Sequence, residues 1–225
     1  EGGVRGAADP SDAAAASDVV VLCVKPDDAA GALAGIAREL RGKLLVSIVA
    51  GVTLDALQRA AGDECRIVRV MPNTGALVGE SASAYAAGSG TGATDIDAVE
   101  KIFSPVGRVF AVKERLLDAV TGLSGSGPAY VYLFIEALSD GGVQMGLPRD
   151  LATKLAVQTV AGAAAMVSRT EMHPAVLREM VTSPGGTTIA GLAELERAGL
   201  RAGVINAVRA ATLRAHELGA SHAEK

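Results

Sequence analysis

Gly122-Leu-Ser-Gly-Ser-Gly-Pro-Ala-Tyr-Val-Tyr-Leu-Phe-Ile-Glu-Ala-Leu-Ser-Asp-Gly-Gly-Val-Gln-Met-Gly-Leu-Pro148 divides the chain into two kinds of sequence. The stretch opens on small residues that let backbone approach backbone. Pro128 suits the first turn of a helix, where its missing N–H costs nothing. Ala129 to Leu138 is apolar on nearly every side, with Glu136 its only charge. Such a helix needs cover from its own domain or from a second subunit. Gly141-Gly142 reads as an interruption, and Gly146-Leu147-Pro148 closes the helix and starts the next. Before this stretch strand and helix alternate; after it the pattern is helix only.

Upstream, Asp18 to Val24 is a continuous β-branched run, as expected of a strand buried on both faces. Asp27 to Leu40 carries Ala30, Leu33, Ile36, Ala37 and Leu40 at helical spacing. Leu44–Val49 is a second buried strand, and Thr53 is a fitting N-cap for a helix over Leu54–Ala61. Arg66–Met71 is a third strand and Ser83–Ala87 a fourth. Thr94, with Asp97 three residues on, marks the start of a helix to Phe103. Arg108–Val112 is a last strand. Short connections between alternating elements argue for a mostly parallel, doubly wound sheet, whose ligands bind at the carboxyl ends of the strands. Three strand ends are built alike, namely Val24-Lys25-Pro26, Val49-Ala50-Gly51 and Met71-Pro72-Asn73. Each puts small or rigid residues where a flat ligand can lie against backbone, although ordinary loop punctuation uses the same residues.

Downstream, helices are expected over Pro128–Met145, Pro148–Ser168, Pro174 to about Val181, Ile189–Ala198 and Leu200–Leu218, with Gly219 as the last C-cap and a frayed tail from Ser221. Several of these helices bear apolar residues on more faces than one small domain can bury. Two-fold pairing is the commonest way to cover them.

The chain has 225 residues, of which 49% are hydrophobic and only 3% aromatic, so its core must be built from Ala, Val, Leu and Ile. A formal net charge of −4, with no Lys/Arg block, argues against a nucleic-acid footprint. Cys23 and Cys65 both fall in apolar runs and read as buried free thiols in a reducing compartment. The three histidines are too scattered for a metal site. No signal peptide is visible and no apolar run approaches the roughly 20 residues that span a bilayer. The expectation is a cytoplasmic protein with no membrane association.

The most informative polar segment is Ser183-Pro-Gly-Gly-Thr-Thr188. Two glycines allow close backbone approach, and a following helix start offers free N–H groups and a positive dipole end to a small carboxylate. A helix cap with a tight turn accounts for the same six residues. The segment holds no ionisable nucleophile or base. Its chemistry is therefore hydrogen bonding and positioning, which suits hydride transfer from a cofactor.

Val24-Lys25-Pro26, Ala50-Gly51-Val52-Thr53, Met71-Pro72-Asn73-Thr74, the run from Asp118 to Tyr130, Asp140 to Pro148, Ser183 to Thr188 and Ile205-Asn206-Ala207 occur together in this order. With them the chain resembles the pyrroline-5-carboxylate reductases over almost its whole length. The resemblance implies an α/β Rossmann-like (6-phosphogluconate-dehydrogenase-like) N-terminal domain over residues 1–113, binding NADPH or NADH. It also implies an all-α C-terminal dimerisation and substrate domain over residues 114–225. The reaction implied is reduction of the ring C=N of 1-pyrroline-5-carboxylate to L-proline, the last step of proline biosynthesis. Carried over by position, the cofactor-binding residues are Val24, Lys25, Pro26, Ala50, Gly51 and Asn73. The substrate residues are Glu114, Ser183, Gly186, Thr187 and Thr188. Thr188 is the candidate catalytic donor near the imine nitrogen, and the Gly186 and Thr187 N–H groups are candidates for the carboxylate. The implied assembly is an interlocked homodimer, built up in relatives into a larger ring, a pentamer of dimers.

Two departures stand out. No G-x-G-x-x-G turn precedes Val19, so the domain reads as incomplete, lacking the family's first βαβ unit, roughly forty residues. Met180 stands where some relatives have a polar cofactor contact. That missing fingerprint motivates one alternative, a non-catalytic dimeric scaffold. Another is a different β-hydroxyacid-type dehydrogenase, which would need a catalytic lysine, and Lys154 is the one well inside the helical part.

Overall fold

A computed structural model describes residues 3–223. Its strands are β1 (Val19–Leu22), β2 (Leu44–Ser47), β3 (Arg66–Met71), β4 (Ser81–Ala87) and β5 (Gly107–Ala111). Its helices are α1 (Pro10–Ala15), α2 (Ala29–Ile36), α3 (Leu54–Ala61), α4 (Ala93–Phe103), α5 (Leu117–Val120), α6 (Gly127–Gln144), α7 (Arg149–Thr170), α8 (Pro174–Met180), α9 (Thr187–Arg197) and α10 (Leu200–Ala223). The chain packs as two units: residues to Pro128 together with the helix from Val208 onward, and Ala129–Ala207.

In the first unit the strands lie in the order β1-β2-β3-β4-β5. The β1–β2, β2–β3 and β4–β5 pairs are parallel, and β4 runs antiparallel to β3. Side chains alternate across the sheet. Leu22, Leu45 and Ile67 therefore join Leu33, Ile36 and Leu57 of α2 and α3 in one core layer. Leu44, Val46, Val68 and Val70 join Val99 and Phe103 of α4 in another. Strand β2 has both faces covered and all four of its residues are buried.

Strand β1 does not meet the expectation of two buried faces. Among the described residues it pairs with β2 alone, its sole buried residue is Leu22, and Val21 is exposed. The two free cysteines divide accordingly: Cys65 is buried, whereas Cys23 at the end of β1 is exposed. Burial pushes the Cys65 thiol pKa up.

Three helix boundaries are also corrected. The N-cap of α4 is Gly92, not Thr94, and the Asp95 carboxylate accepts the Gly92 N–H at 2.9 Å. Helix α6 runs straight through Gly141 and Gly142, because α7 approaches so closely that a Cβ on Gly142 would meet the Ala152 methyl at 3.1 Å. It ends instead at Gly146, whose φ of 96° turns the chain. Gly219 is no C-cap but an interior residue of α10, and the helix continues through Ser221 to Ala223. Glu224 and Lys225 lie outside the described residues. A Cβ on Gly219 would meet the Gly51 carbonyl oxygen at 2.9 Å, so the missing side chain lets α10 lie against the turn after β2.

The second unit is helical. Tyr130 Oη donates to the Ala207 carbonyl at 3.4 Å, and Ser139 Oγ and Thr153 Oγ1 pair at 2.8 Å between α6 and α7. Helix α7 buries only Ala152 and Ala156. Tyr132 and Leu133 of α6, Leu151 and Leu155 of α7 and Ile205 of α10 are all exposed. Among the described residues α7 alone is long and apolar enough to cross a membrane, with a mean hydropathy of 1.3. This departs from the expectation of no such run, because alanine-rich turns interleave the charged residues of α7 and dilute them over its length.

Two contacts give direct tests. Burial works against the Asp95 charge, but hydrogen bonds from Gly92 and Arg66, with the Arg66 charge, hold its pKa below the ordinary 3.8. Arg66 Nε reaches both Asp95 oxygens at 3.0 Å. A depressed pKa contributes stability that is complete above the unfolded-state value and lost as pH falls through the folded-state value. Asp95→Asn should cost about 1 kcal/mol at neutral pH. Urea titrations should show that gap closing below about pH 4; a gap that persists into acid contradicts the assignment. Gly122→Ala would set a methyl 2.7 Å from the Val208 carbonyl oxygen and 2.8 Å from the Thr212 nitrogen, backbone atoms of α10. It should lower stability by about 1–3 kcal/mol, read as an earlier urea midpoint.

Candidate active site

The first group of site residues is placed by the parallel ladder. Leu22 pairs with Ser47, and Ser47 with Arg69, so the carboxyl ends of β1, β2 and β3 stand level. Val24, Lys25 and Ala50 project exposed from that rim, and Pro26 is half-buried. Pro26 opens a 3₁₀ turn, Pro26–Asp28, in which the Lys25 carbonyl accepts the Asp28 N–H at 3.0 Å. Beside it is a cavity of about 250 Å³ walled by Ala29, Ala30, Val52 and Ala56. Small residues at level strand ends fit a flat dinucleotide laid across them.

Two cofactor-side candidates have structural work of their own. Gly51 is buried with φ 78° against Gly219 of α10. The Asn73 side chain accepts the Gly75 N–H at 3.0 Å and donates to the Ser124 carbonyl at 3.0 Å. It thereby fastens the loop after β3 to a π-helical turn, Thr121–Gly125.

Glu114 is the first residue of a 3₁₀ turn, Glu114–Leu116. Its Oε1 accepts the Leu54 N–H at 2.6 Å and faces Arg69 Nη1 at 2.7 Å. Arg69 carries no expectation from the sequence, although a charge inside Arg66-Ile-Val-Arg-Val-Met71 is a signal for it. Its side chain is only 8% exposed. Gly51, Thr53, Arg69, Glu114, Asp118 and His216 line a cavity of about 360 Å³, and the Asp118 carboxylate lies 3.3 Å from His216 Nδ1.

The remaining site residues lie in the helical unit. Gly185, at φ 67°, makes the turn in which the Gly186 N–H donates to the Ser183 carbonyl at 3.0 Å. Ser183 Oγ sits where a Gly186 side chain would be, so a larger residue there would have to turn that hydroxyl aside. Gly186 is the N-cap of α9 and no side chain caps that helix among the described residues. Thr188 is thus the second residue of α9, half-buried, and not its cap. Helix N-termini left this way offer their first N–H groups to an anion.

Lys154 is an exposed residue of α7. Met180 is exposed at the end of α8, on an apolar groove of about 370 Å³ with Met166, Val167, Leu177 and Val181. Glu171 gave no sequence signal; it ends α7 in the left-handed conformation at φ 55°, the one non-glycine residue to do so among those described.

Residues 114–218 match the family model for pyrroline-5-carboxylate reductase dimerisation, and residues 1–51 the model for NADP oxidoreductase coenzyme F420-dependent proteins. The chain is 53% identical over 206 residues to the pyrroline-5-carboxylate reductase of Arabidopsis thaliana, covering 91% of this chain and 74% of that one. It is 51% identical to the Synechocystis enzyme, covering 96% and 80%. The crystal structure of Plasmodium falciparum pyrroline carboxylate reductase with NADP bound superposes at a TM-score of 0.89 with 40% identity, covering 95% of this chain and 81% of that one. Identity at this level across both packed units leaves one conclusion: the chain belongs to the pyrroline-5-carboxylate reductase family.

Proposed function

We propose that the protein reduces 1-pyrroline-5-carboxylate to L-proline with NAD(P)H, as the final step of proline biosynthesis. The observation that carries this is the N-terminus of α9, where Gly186 is the cap and no side chain competes for the first amides. A small carboxylate is the ligand such a turn accepts. The substrate's carboxylate sits on the Thr187 N–H at the start of α9 and not on the Gly186 N–H, which the Ser183 carbonyl already accepts at 3.0 Å as it closes the turn. The neighbouring Thr188 hydroxyl then donates toward the imine nitrogen. That hydrogen bond makes the ring carbon electrophilic, so that a hydride and a proton together convert the imine to the amine. Val24, Lys25, Pro26 and Ala50 are the residues that would hold a nicotinamide cofactor, which when bound would supply the hydride. Gly51 and Asn73 shape that rim from beneath. NADP in the Plasmodium relative supports NADPH as the reductant.

By role the chain divides at 113/114, into a cofactor-binding part and a dimerisation and substrate part. Exposed Tyr132, Leu133, Leu151, Leu155 and Ile205 form the faces that a second copy covers. At about 25 cal/mol per Å² of apolar area, their burial is worth many kcal/mol. The apolar character of α7 belongs to this interface and not to a bilayer. The assembly is an obligate homodimer, extended to a pentamer of dimers, in the cytoplasm, where reduced Cys23 and Cys65 are at home. Nucleic acid is no partner for a chain of net charge −4.

Thr188→Ala should lower kcat/KM for pyrroline-5-carboxylate by on the order of 10²-fold with an unchanged circular dichroism spectrum. Unaltered kinetics in a folded variant would remove Thr188 from the reaction. Light scattering at low micromolar concentration should show no monomer. Leu133→Asp, exposed in the single chain, should yield monomers without activity; an active, folded monomer overturns the assembly.

A further inference from the structure

Glu114 is engaged by two groups of the first unit rather than left to solvent. Its Oε1 is shared by two groups distant in sequence, the Leu54 N–H at 2.6 Å and Arg69 Nη1 at 2.7 Å. Leu54 is the first residue of α3, whose N-cap Thr53 takes only the Ala56 N–H, at 3.1 Å. Glu114 therefore supplies a second anchor to that helix end, and its charge meets the positive end of the helix dipole. Arg69 rises from β3 with a side chain only 8% exposed, so water screens its charge poorly and a fixed counter-charge is required. One carboxylate oxygen serves both needs.

What this holds in place is the turn Ile48–Thr53. The turn is tied to the sheet by the Ile48 N–H, which donates to the Leu22 carbonyl at 3.1 Å, and is pressed by α10 at Gly51. Its far end is fixed by Glu114 through Leu54. Ala50, exposed between these supports, is the rim residue assigned to the cofactor in the reading above. Supporting contacts of this kind set the precision of a binding site without touching the ligand.

We propose that Glu114 is a positioning residue for the cofactor rim, acting through Arg69 and the first amide of α3, and that it does not touch the substrate. This rests on the reductase reading above. Glu114→Gln keeps an acceptor for Leu54 but leaves Arg69 without its counter-charge. In the full-length protein it should raise the Kd for NADPH, measured by fluorescence titration, about tenfold, the order expected for a lost supporting contact. The KM for pyrroline-5-carboxylate at saturating NADPH should stay within about twofold, and hydrogen exchange at Leu54–Leu57 should quicken. Adding Arg69→Met removes the stranded charge and should recover most of the lost NADPH affinity, a rescue that general loss of stability does not give. The opposite pattern overturns the proposal: a raised KM for pyrroline-5-carboxylate or a shifted pH profile, with NADPH affinity and α3 exchange unchanged. Unchanged affinity and exchange with unchanged kinetics overturn it equally. If the unsubstituted full-length enzyme fails to turn over pyrroline-5-carboxylate, the reductase reading falls instead, while NADPH titration and exchange still decide the role of Glu114.

Discussion

The parallel register of β1, β2 and β3 is the constraint on which the rest depends. Holding Leu22, Ser47 and Arg69 at one level sends three turns off the same edge of the sheet. The turns then share a rim although they are far apart in sequence, which is the general reason ligands collect at the carboxyl ends of parallel strands. The ladder can hold this register because β2 is buried on both faces. A slip by one residue would exchange Leu45 and Ile67 for Val46 and Val68 between the two core layers and misfit both.

Much of this was legible because it rests on local chemistry. The β-branched run at Leu44–Ser47, the Thr53 cap and the glycine pair before Thr187 each announce themselves within a few residues. What was not legible depends on distant partners. Asp18–Val24 has the composition of a central strand, and among the described residues β1 pairs with β2 alone, which leaves Val21 and Cys23 exposed. Gly142 and Gly219 look like helix punctuation because the sequence does not display the neighbours, Ala152 and Gly51, that need the space. The start of α4 is set at Gly92 by Asp95, whose carboxylate also binds Arg66, twenty-nine residues away, and that partner is not visible around Thr94.

The site divides along the same line. The turn Ser183–Thr188 is self-contained, and its glycines and hydroxyls can be read within six residues. The support beneath the rim is not self-contained: Glu114 reaches across 60 residues to Leu54 and 45 to Arg69. A motif reading assigns Glu114 by position in a family pattern, whereas its hydrogen bonds assign it by what it holds. Met180, on an apolar groove among Met166, Val167 and Leu177, suits a packing position better than a polar contact.

The discontinuity of the first unit has a consequence for how the protein is made. Residues up to Pro128 need the helix from Val208 onward to complete their packing, at Gly122 against Val208 and Thr212 and at Gly51 against Gly219. On a ribosome the sheet emerges long before α10, and the whole of Ala129–Ala207 must be synthesised in between. The grooves that receive α10 stay open to water through most of translation. Such transient openness is the condition under which nascent chains engage chaperones or each other. Helix α10, made only after the whole of Ala129–Ala207, is therefore the element that seals a sheet synthesised long before it.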